Sequence, residues 1–516
     1  MKGFFRSFRG RLLLLSMLLS ALFLGICSKS SPLYPLNDWV DVHCFFTMGR
    51  GILEGIVPYR DLYEQKGPVL YFLFALSALI SDRSFWGVFL MEVVTYGLFL
   101  YFCGRIAAIY LEEKPAVIKY TAGYLEEKPA VYFITAILGA VIPVSKAFSH
   151  GGGAEQLCLF MLAYSLWSVL AALHEKRPLS FWEAFLNGVF AAAVLYIKFT
   201  MLGFYMGLAL FVLIWYPSEK HSGKTLLATI GQFLLGVGAV SAVVFGYFAI
   251  HGAVADFMTV YFYNNLFLYP VETQSSKLEL IENCLRSTLQ YNGSYSWLIT
   301  AGLFLFLLQL RSHWRDFLMA VLTFIGLTVG TYWGGRGYTY YGLILAVYTV
   351  FGLIALVKAC QMAKLTLRTP LPATVTLFAL ALTVALLVNY CLDKSSNTYL
   401  MKYDKEDHPA YQFAQTINTV EDAKVLNYGF LDGGFYYAAG VEPSCKFFCT
   451  LNIDAPDMWS SQRDAINNGE VDFVITRRYP LSSYSANARG YELVDEANFY
   501  FEGVDFTYYL YQKPKT

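Results

Sequence analysis

Twelve stretches of this chain are apolar for close to the length that crosses about 30 Å of hydrocarbon: 12–28, 68–81, 85–110, 130–146, 155–174, 182–197, 200–216, 225–250, 295–311, 316–334, 337–357 and 371–393. In lipid no water satisfies a backbone N–H or C=O, so runs of this kind fold as helices. Composition agrees, with 56% hydrophobic and only 15% charged residues, against about 25% charged in an ordinary soluble domain. The expected fold class is a mostly α, polytopic transmembrane helical bundle of 11–13 spans. Lys plus Arg equals Asp plus Glu at 38 each, so there is no basic surplus to neutralise a phosphate backbone, and nucleic acid is excluded as a partner.

Loop charges orient the bundle. HEKR at 174–177, the 216–224 loop with Lys220 and Lys224, Arg311 with Arg315, and Lys358 through Arg368 are basic and should face the cytoplasm. The outer side then receives 29–67, 147–154, Lys198, 251–294, 334–340 and everything after 394. Lys2, Arg6, Arg9 and Arg11 precede the first apolar run, the pattern of a signal peptide or a membrane anchor. The many later spans make an uncleaved anchor the simpler reading. A cytoplasmic amino end and an outer carboxyl end need an odd number of crossings, and twelve is even. The conflict sits at 68–110, where only Ser81-Asp82-Arg83-Ser84 separates two apolar stretches.

YLEEKPAV at 110–117 recurs unchanged at 124–131. Two short copies cannot bury a repeat core, and a loop absorbs an insertion at low entropic cost, so 111–129 reads as a tolerant connector. After Tyr390 the chain turns polar. VLNYG, KFF, DFVIT and YYLYQK alternate with helix-like stretches at Pro409 to Ile417 and Asp457 to Asn467, which predicts a small extracytoplasmic α/β domain over 394–516. Six of the nine cysteines lie in or near apolar segments without metal spacing. Cys445 and Cys449, in the polar tail, fit a local disulfide or two thiols. His43, His150 and His251 are unclustered, so no protein-built metal site is expected.

The segment from Asn37 to Phe72, NDWVDVHCFFTMGRGILEGIVPYRDLYEQKGPVLYF, is too polar to span and too aromatic to be a free linker. Val42, Phe45, Phe46, Gly49 and Leu53 fall near helical spacing, so Asp41 to Leu53 is predicted to lie as an amphipathic helix at the interface. Gly55 supplies its stop, and Pro58 opens a turn carrying Tyr59, Arg60 and Asp61. Acidic side chains this close to the membrane point into water or at a functional partner.

This loop resembles the GT-C superfamily of membrane glycosyltransferases, specifically the bacterial relatives of protein O-mannosyltransferases and of the lipid A aminoarabinose transferase. In that family an acidic residue opens the first outer loop, followed by an amphipathic helix, a glycine, a Pro-Tyr-Asp-like turn and Lys-Gly-Pro at the second span. The resemblance implies that residues 1–393 form a GT-C-like transferase domain, with 29–67 its first outer loop. It puts Asp41 in the place of the catalytic acid and Lys66 of Lys66-Gly67-Pro68 on the carrier phosphate. Looser matches are Gly151-Gly152-Gly153-Ala154-Glu155, Lys198-Phe199-Thr200 and Gly334-Gly335-Arg336-Gly337-Tyr338. Two departures stand out: Val42 follows Asp41 where relatives often have a second acid, leaving Asp38 as the nearest carboxylate, and Tyr340-Tyr341 stands where relatives often have His-Tyr.

Transfer from a lipid phosphate has a good leaving group, so one base on the acceptor hydroxyl and cations on the departing phosphate are a sufficient set. Asp41 with Asp38 would supply the carboxylates, and Lys66, Lys198 and Arg336 the cations. Tyr59, Arg60, Asp61, Glu155 and Tyr340 would support them. The implied partners are a polyprenyl-phosphate sugar donor, a glycan, lipid or protein acceptor, and membrane lipid. No cofactor is demanded, and a divalent cation is the one with which this chemistry is compatible. Plainer roles compete at each position. Asp41 and Asp38 suit a helix cap, Lys66 and Lys198 suit interfacial anchors, and Glu155 suits a helix dipole. At the level of the whole protein, the rivals are a flippase of lipid-linked saccharides and an inactive scaffold of the same fold.

Overall fold

A computed structural model of the protein describes residues 7–111, 128–270, 275–363, 372–484, 490–501 and 503–514. Most of the 111–129 connector, Lys2 and Arg6, and the far part of the 358–368 basic loop lie outside the described residues. In chain order the helices of the apolar part are α1 (Phe8–Cys27), α2 (Val40–Leu53), α3 (Pro68–Ile80), α4 (Trp86–Tyr110), α5 (Pro129–Val141), α6 (Ala154–His174) and α7 (Phe181–Lys198). They continue with α8 (Gly203–Ser218), α9 (Gly223–Ile250), α10 (Lys277–Tyr291), α11 (Gly293–Leu308), α12 (Leu310–Tyr332), α13 (Thr349–Met362) and α14 (Ala373–Lys394). Among the described residues eight helical runs are long and apolar enough to cross a membrane, one of them the 38-residue run Phe181–Ser218 that joins α7 and α8. Pro68–Ile80, Pro129–Val141 and Tyr295–Leu308 are shorter. This is a multi-pass membrane protein.

Local chemistry sets the helix ends. Pro68 and Pro129 occupy the first helical turn, where a missing N–H costs nothing. Ser180 and Glu183 form a capping box on α7. Where α8 meets α12, a Cβ on Gly203 would stand 2.0 Å from the Gly326 carbonyl oxygen. Only glycine permits that approach, which in lipid replaces the hydrophobic drive that water would give.

The chain divides into two compact units. The first comprises Met1–Ser28, Met91–Ala242 and Glu272–Thr398; the second comprises Lys29–Leu90, Val243–Val271 and Tyr399–Thr516. Within the first, the loops segregate by contact. His174 Nε2 and Tyr110 Oη lie 2.8 and 2.6 Å from Asp316 Oδ2, Arg315 reaches Glu219 at 2.5 Å, and the Leu179 N–H donates to Tyr216 Oη at 3.0 Å. These are the loops that the charge pattern puts on the cytoplasmic side. The Ala147 N–H donates to Asn292 Oδ1 at 2.7 Å, and Asn397 donates to the carbonyls of Cys27 and Ser149 at 2.6 and 2.8 Å, gathering loops of the other set.

The short helices bear on the even count of crossings. Helix α3 has 13 residues, about 20 Å at ~1.5 Å per residue, and both its ends meet the tail. Just before it, the Tyr63 N–H donates to the Lys446 carbonyl at 2.8 Å and Gln65 donates to Asn452 at 3.3 Å; just after it, Tyr437 Oη donates to the Arg83 carbonyl at 2.8 Å. At that length α3 falls short of the ~30 Å of hydrocarbon, and both its ends meet the same domain. Helix α5 is equally short, yet Lys128 before it donates to Ala108 O at 3.2 Å, in one loop set, and Ala147 after it belongs to the other. Removing α3 from the twelve stretches leaves an odd number of crossings.

In the tail, α15 (Pro409–Ile417), α16 (Phe435–Ala439) and α17 (Met458–Asn467) accompany a four-stranded sheet of order β1-β2-β4-β3. Its strands are β1 (Val425–Asn427), β2 (Phe473–Arg477), β3 (Glu492–Phe501) and β4 (Val504–Gln512). β1 runs parallel to β2, with Val425 opposite Phe473, and β4 pairs antiparallel with both β2 and β3. Leu426, Tyr428, Ile466, Val471, Val474, Leu481 and Tyr511 form the core. KFF at 446–448 is not the predicted strand. Its carbonyls are taken by Tyr63 N–H at 2.8 Å, Gln462 Nε2 at 2.9 Å and Tyr436 Oη at 2.5 Å, which leaves none for a ladder.

Candidate active site

The segment from Lys29 to Gly67 folds on two carboxylates in opposite surroundings. Asp38 precedes α2 and is sealed: Lys29 Nζ stands 2.5 Å from Oδ1, Tyr399 Oη donates to Oδ2 at 2.8 Å, and the Lys29 and Asp38 side chains are 2% and 0% exposed. Asp41 lies in the first turn of α2 and is only half-buried. The N-cap of α2 is Trp39, so Asp41 is not the cap; its carboxylate instead meets the positive end of the helix dipole.

Helix α2 begins at Val40, one residue ahead of the predicted start, and does not lie open on an interface. Val42 through Gly49 are all buried. The tail covers its polar side at positions 43, 47 and 50, one helical face. Thr47 Oγ1 donates to Asp432 Oδ2 at 2.7 Å, and Arg50 Nη2 meets Glu442 Oε1 at 2.6 Å. A Cβ on Gly434 would fall 2.7 Å from His43 Cε1, so this position, with φ +85°, takes glycine on both counts. Burial lowers the His43 pKa and raises that of Asp432, and burial pushes Glu442 up to about 7 against the pull of Arg50.

Gly55, with φ +85°, ends the helix as predicted. In the turn that follows, the Tyr59 N–H donates to the Leu62 carbonyl at 2.7 Å, and the Val57 N–H donates to Asp61 Oδ2 at 2.8 Å. Tyr59 is wholly buried and carries φ +72°, a left-handed conformation costly for an aromatic residue. Its ring is held between those of Tyr71, Phe248 and Phe257. Arg60 forks onto Asp61 with two 2.8 Å bonds and donates to the His251 carbonyl at 2.9 Å. The Arg60 guanidinium holds the Asp61 carboxyl below the usual carboxylate range.

Lys66 is placed by its backbone. Its carbonyl accepts from Tyr59 Oη at 2.6 Å and Tyr71 Oη at 2.9 Å, and its N–H donates to Glu64 Oε2 at 2.8 Å. Glu64 is buried and also accepts from Tyr71 Oη. The half-buried Lys66 side chain puts Nζ 5.8 Å from the centre of the Phe45 ring.

Four of the remaining candidates belong to the first unit. Lys198, at the end of α7, forms an ion pair with Glu155 of α6, so two motifs singled out separately are one buried contact. Lys198 Nζ also lies 3.3 Å from the Tyr341 ring centre and 5.7 Å from that of Tyr340. Arg336 is half-buried, with Nη1 3.4 Å from Tyr338 Oη. The glycine run before α6 is a packing device, since a Cβ on Gly151 would meet Ser28 Oγ at 2.3 Å.

Within the second unit, a cavity of about 250 Å³ is lined by Lys29, Asn37, Phe85 and Lys405, and one of about 780 Å³ by Arg50, Asp82, Arg83 and Glu442; Tyr411 and Tyr437 line both. Among the described residues His174, His313 and Asp316 are the one group with metal-ligand spacing. Asp316 already accepts from His174 and Tyr110, and a hydrogen-bond network accounts for the group. Cys449 faces Cys44 rather than Cys445, with sulfurs 3.8 Å apart.

No protein-family model matches the chain, and no curated protein matches it in sequence. Solved structures do. ArnT from Cupriavidus metallidurans in the apo state superposes with TM-score 0.56 at 14% identity, over 97% of this chain and 98% of that one. The protein has the GT-C fold. ArnT from the same organism bound to undecaprenyl phosphate superposes with TM-score 0.54 at 12% identity, over 98% of both chains. An oligosaccharyltransferase from Archaeoglobus fulgidus matches at TM-score 0.45 and 13% identity, over 90% of this chain and 67% of that one, a likeness too loose to argue from.

Proposed function

We propose that this GT-C protein is a glycosyltransferase that moves a sugar from a polyprenyl-phosphate donor to an acceptor at the outer membrane face, with Asp41 as the base. One observation carries the reading. Of the two carboxylates at the start of α2, the sealed one is neutralised by Lys29, and the half-exposed one is the residue that the GT-C resemblance puts in the acid's place. The α2 backbone and the tail hold Asp41 in place. Its carboxylate takes the acceptor proton as the acceptor oxygen attacks the anomeric carbon and the C–O bond to the carrier phosphate breaks, the electron pair leaving on phosphate. Lys66, in the same compact unit as Asp41, is the cation assigned to that phosphate. ArnT bound to undecaprenyl phosphate supports a donor of this lipid class. The segregation of loops into two contact sets supports the charge-derived orientation, with the tail outside.

The test is release of polyprenyl phosphate and transfer of labelled sugar in membranes holding equal amounts of wild type and Asp41→Asn. The variant cannot accept the proton and should lose on the order of 10²-fold or more in rate, while still binding donor. A flippase or an inactive scaffold would show no release in the wild type. Asp41→Asn close to wild-type activity would move catalysis to another carboxylate.

A further inference from the structure

We propose that Cys44 and Cys449 are a disulfide pair that staples helix α2, which carries Asp41, to the tail domain. The inference rests on the proposed outer placement of both segments, because disulfides persist outside the cytoplasm and are rare within it.

The two sulfurs lie 3.8 Å apart across 405 residues of chain, and both side chains are buried. A disulfide needs them at about 2.05 Å, so the two sulfurs need to close by less than a van der Waals radius. The neighbours hold the thiols in register. Gly434 sits against His43, Thr47 bonds to Asp432 at 2.7 Å, and Arg50 pairs with Glu442 at 2.6 Å, so α2 is fixed to the tail on either side of Cys44. On the tail side the Phe448 carbonyl accepts from Tyr436 Oη at 2.5 Å, and the Thr450 N–H donates to the Phe430 carbonyl at 2.9 Å, clamping the residues that flank Cys449. Cys445, by contrast, is only partly buried.

Burial raises the pKa of both thiols, so exchange belongs to the time when the tail docks, before the thiols are shut in. The oxidant is an external disulfide, such as the active-site disulfide of a thiol oxidase. One protein thiolate attacks it, forming a mixed disulfide and releasing one external thiol. The second protein thiolate then attacks the protein sulfur of the mixed disulfide and expels the other. The protein dithiol loses two electrons and two protons, and the external disulfide becomes two thiols.

The experiment uses the full-length chain in native membranes, quenched in acid, alkylated with N-ethylmaleimide in denaturant, and digested without reduction. Mass spectrometry should find the peptides of Cys44 and Cys449 linked and Cys445 alkylated, and the link should vanish in Cys44→Ser and in Cys449→Ser. A reporter fused after Lys394 is read in parallel. Both thiols alkylated with the reporter outside, or a Cys445–Cys449 link, overturns the pairing. Both alkylated with the reporter inside overturns the outer placement, and the pairing falls with it.

Discussion

Each unit buries a lysine against a carboxylate, and the two pairs are closed differently. Lys29 and Asp38 share a 2.5 Å contact capped by Tyr399 Oη, with Lys29 Nζ 5.8 Å from the centre of the Tyr399 ring. Lys198 meets Glu155 with its cation set much nearer an aromatic face, 3.3 Å from the centre of the Tyr341 ring. Losing one member of a buried pair strands the other charge in a poor solvent, at about 3–5 kcal/mol. A cation over an aromatic face keeps about 0.5–2 kcal/mol of attraction when the carboxylate goes. A carboxylate that loses its lysine gains nothing from an aromatic face. On the proposed reading, the sealed Asp38 holds the loop that presents Asp41.

The largest expected effect breaks the first pair. Lys29→Met should lower stability by about 3–5 kcal/mol, and Lys29→Met with Asp38→Leu should recover most of it, since replacing a whole buried pair costs little. Glu155→Gln should cost about 1–2 kcal/mol less than Lys29→Met, because Lys198 keeps its aromatic face. Thermal unfolding in detergent ranks the variants. Equal losses at the two pairs would show that Tyr341 contributes nothing, and a loss at Asp41→Asn as large as at Lys29→Met would make Asp41 scaffold as well.

A middle-sized effect is expected at Lys66, the proposed contact to the donor phosphate. Lys66 is placed by its own backbone bonds to Tyr59, Tyr71 and Glu64, so truncating its side chain leaves the loop in place. Lys66→Ala should reduce kcat/KM for the lipid donor by about 1.5–3 kcal/mol, the worth of a charge-assisted contact, and Lys66→Arg should restore part of it. Unchanged donor use in Lys66→Ala would return the residue to the role of an interfacial anchor.

These residues also show what the sequence makes legible. Apolar run length and loop charge are local, so the bundle, the tail domain, the Gly55 stop and the Pro58 turn can be read directly. Asp41 and Lys66 are visible because their motif is contiguous. Tyr399 and Asp432 are not, since each meets its partner across 361 and 385 residues of chain, and nothing in the tail marks Asp432 as the acceptor for Thr47. Glu64 had a signal, an acid two residues before Lys66 in a loop already singled out, and its burial is what hides the role. Glu155 and Lys198 were each visible, but their pairing depends on how α6 packs against α7, which run length does not encode. KFF failed as a strand because its carbonyls bond to side chains and loop N–H groups that pattern alone cannot place.

The smallest effect belongs to Asp61, the exposed counterpart of the buried pairs. Arg60 and Asp61 are 42% and 37% exposed at the side chain, so solvent screens their attraction, and a pair of this kind is worth about 0.2–1 kcal/mol. Asp61→Asn keeps an oxygen for the Val57 N–H and the Tyr59 turn but loses the charge on Arg60. The folded-state pKa of Asp61 lies below its unfolded value, so its contribution is present above the unfolded pKa, about 3.9, and is lost as pH falls through the folded value. The stability gap between wild type and Asp61→Asn should therefore be full at pH 6–7 and close as the solution is acidified below about pH 4. Unfolding midpoints of both proteins across that range decide it. A gap that persists in acid would mean that Asp61 works through the shape of its hydrogen bonds to the turn, and the contrast between sealed and exposed pairs would then rest on geometry rather than charge.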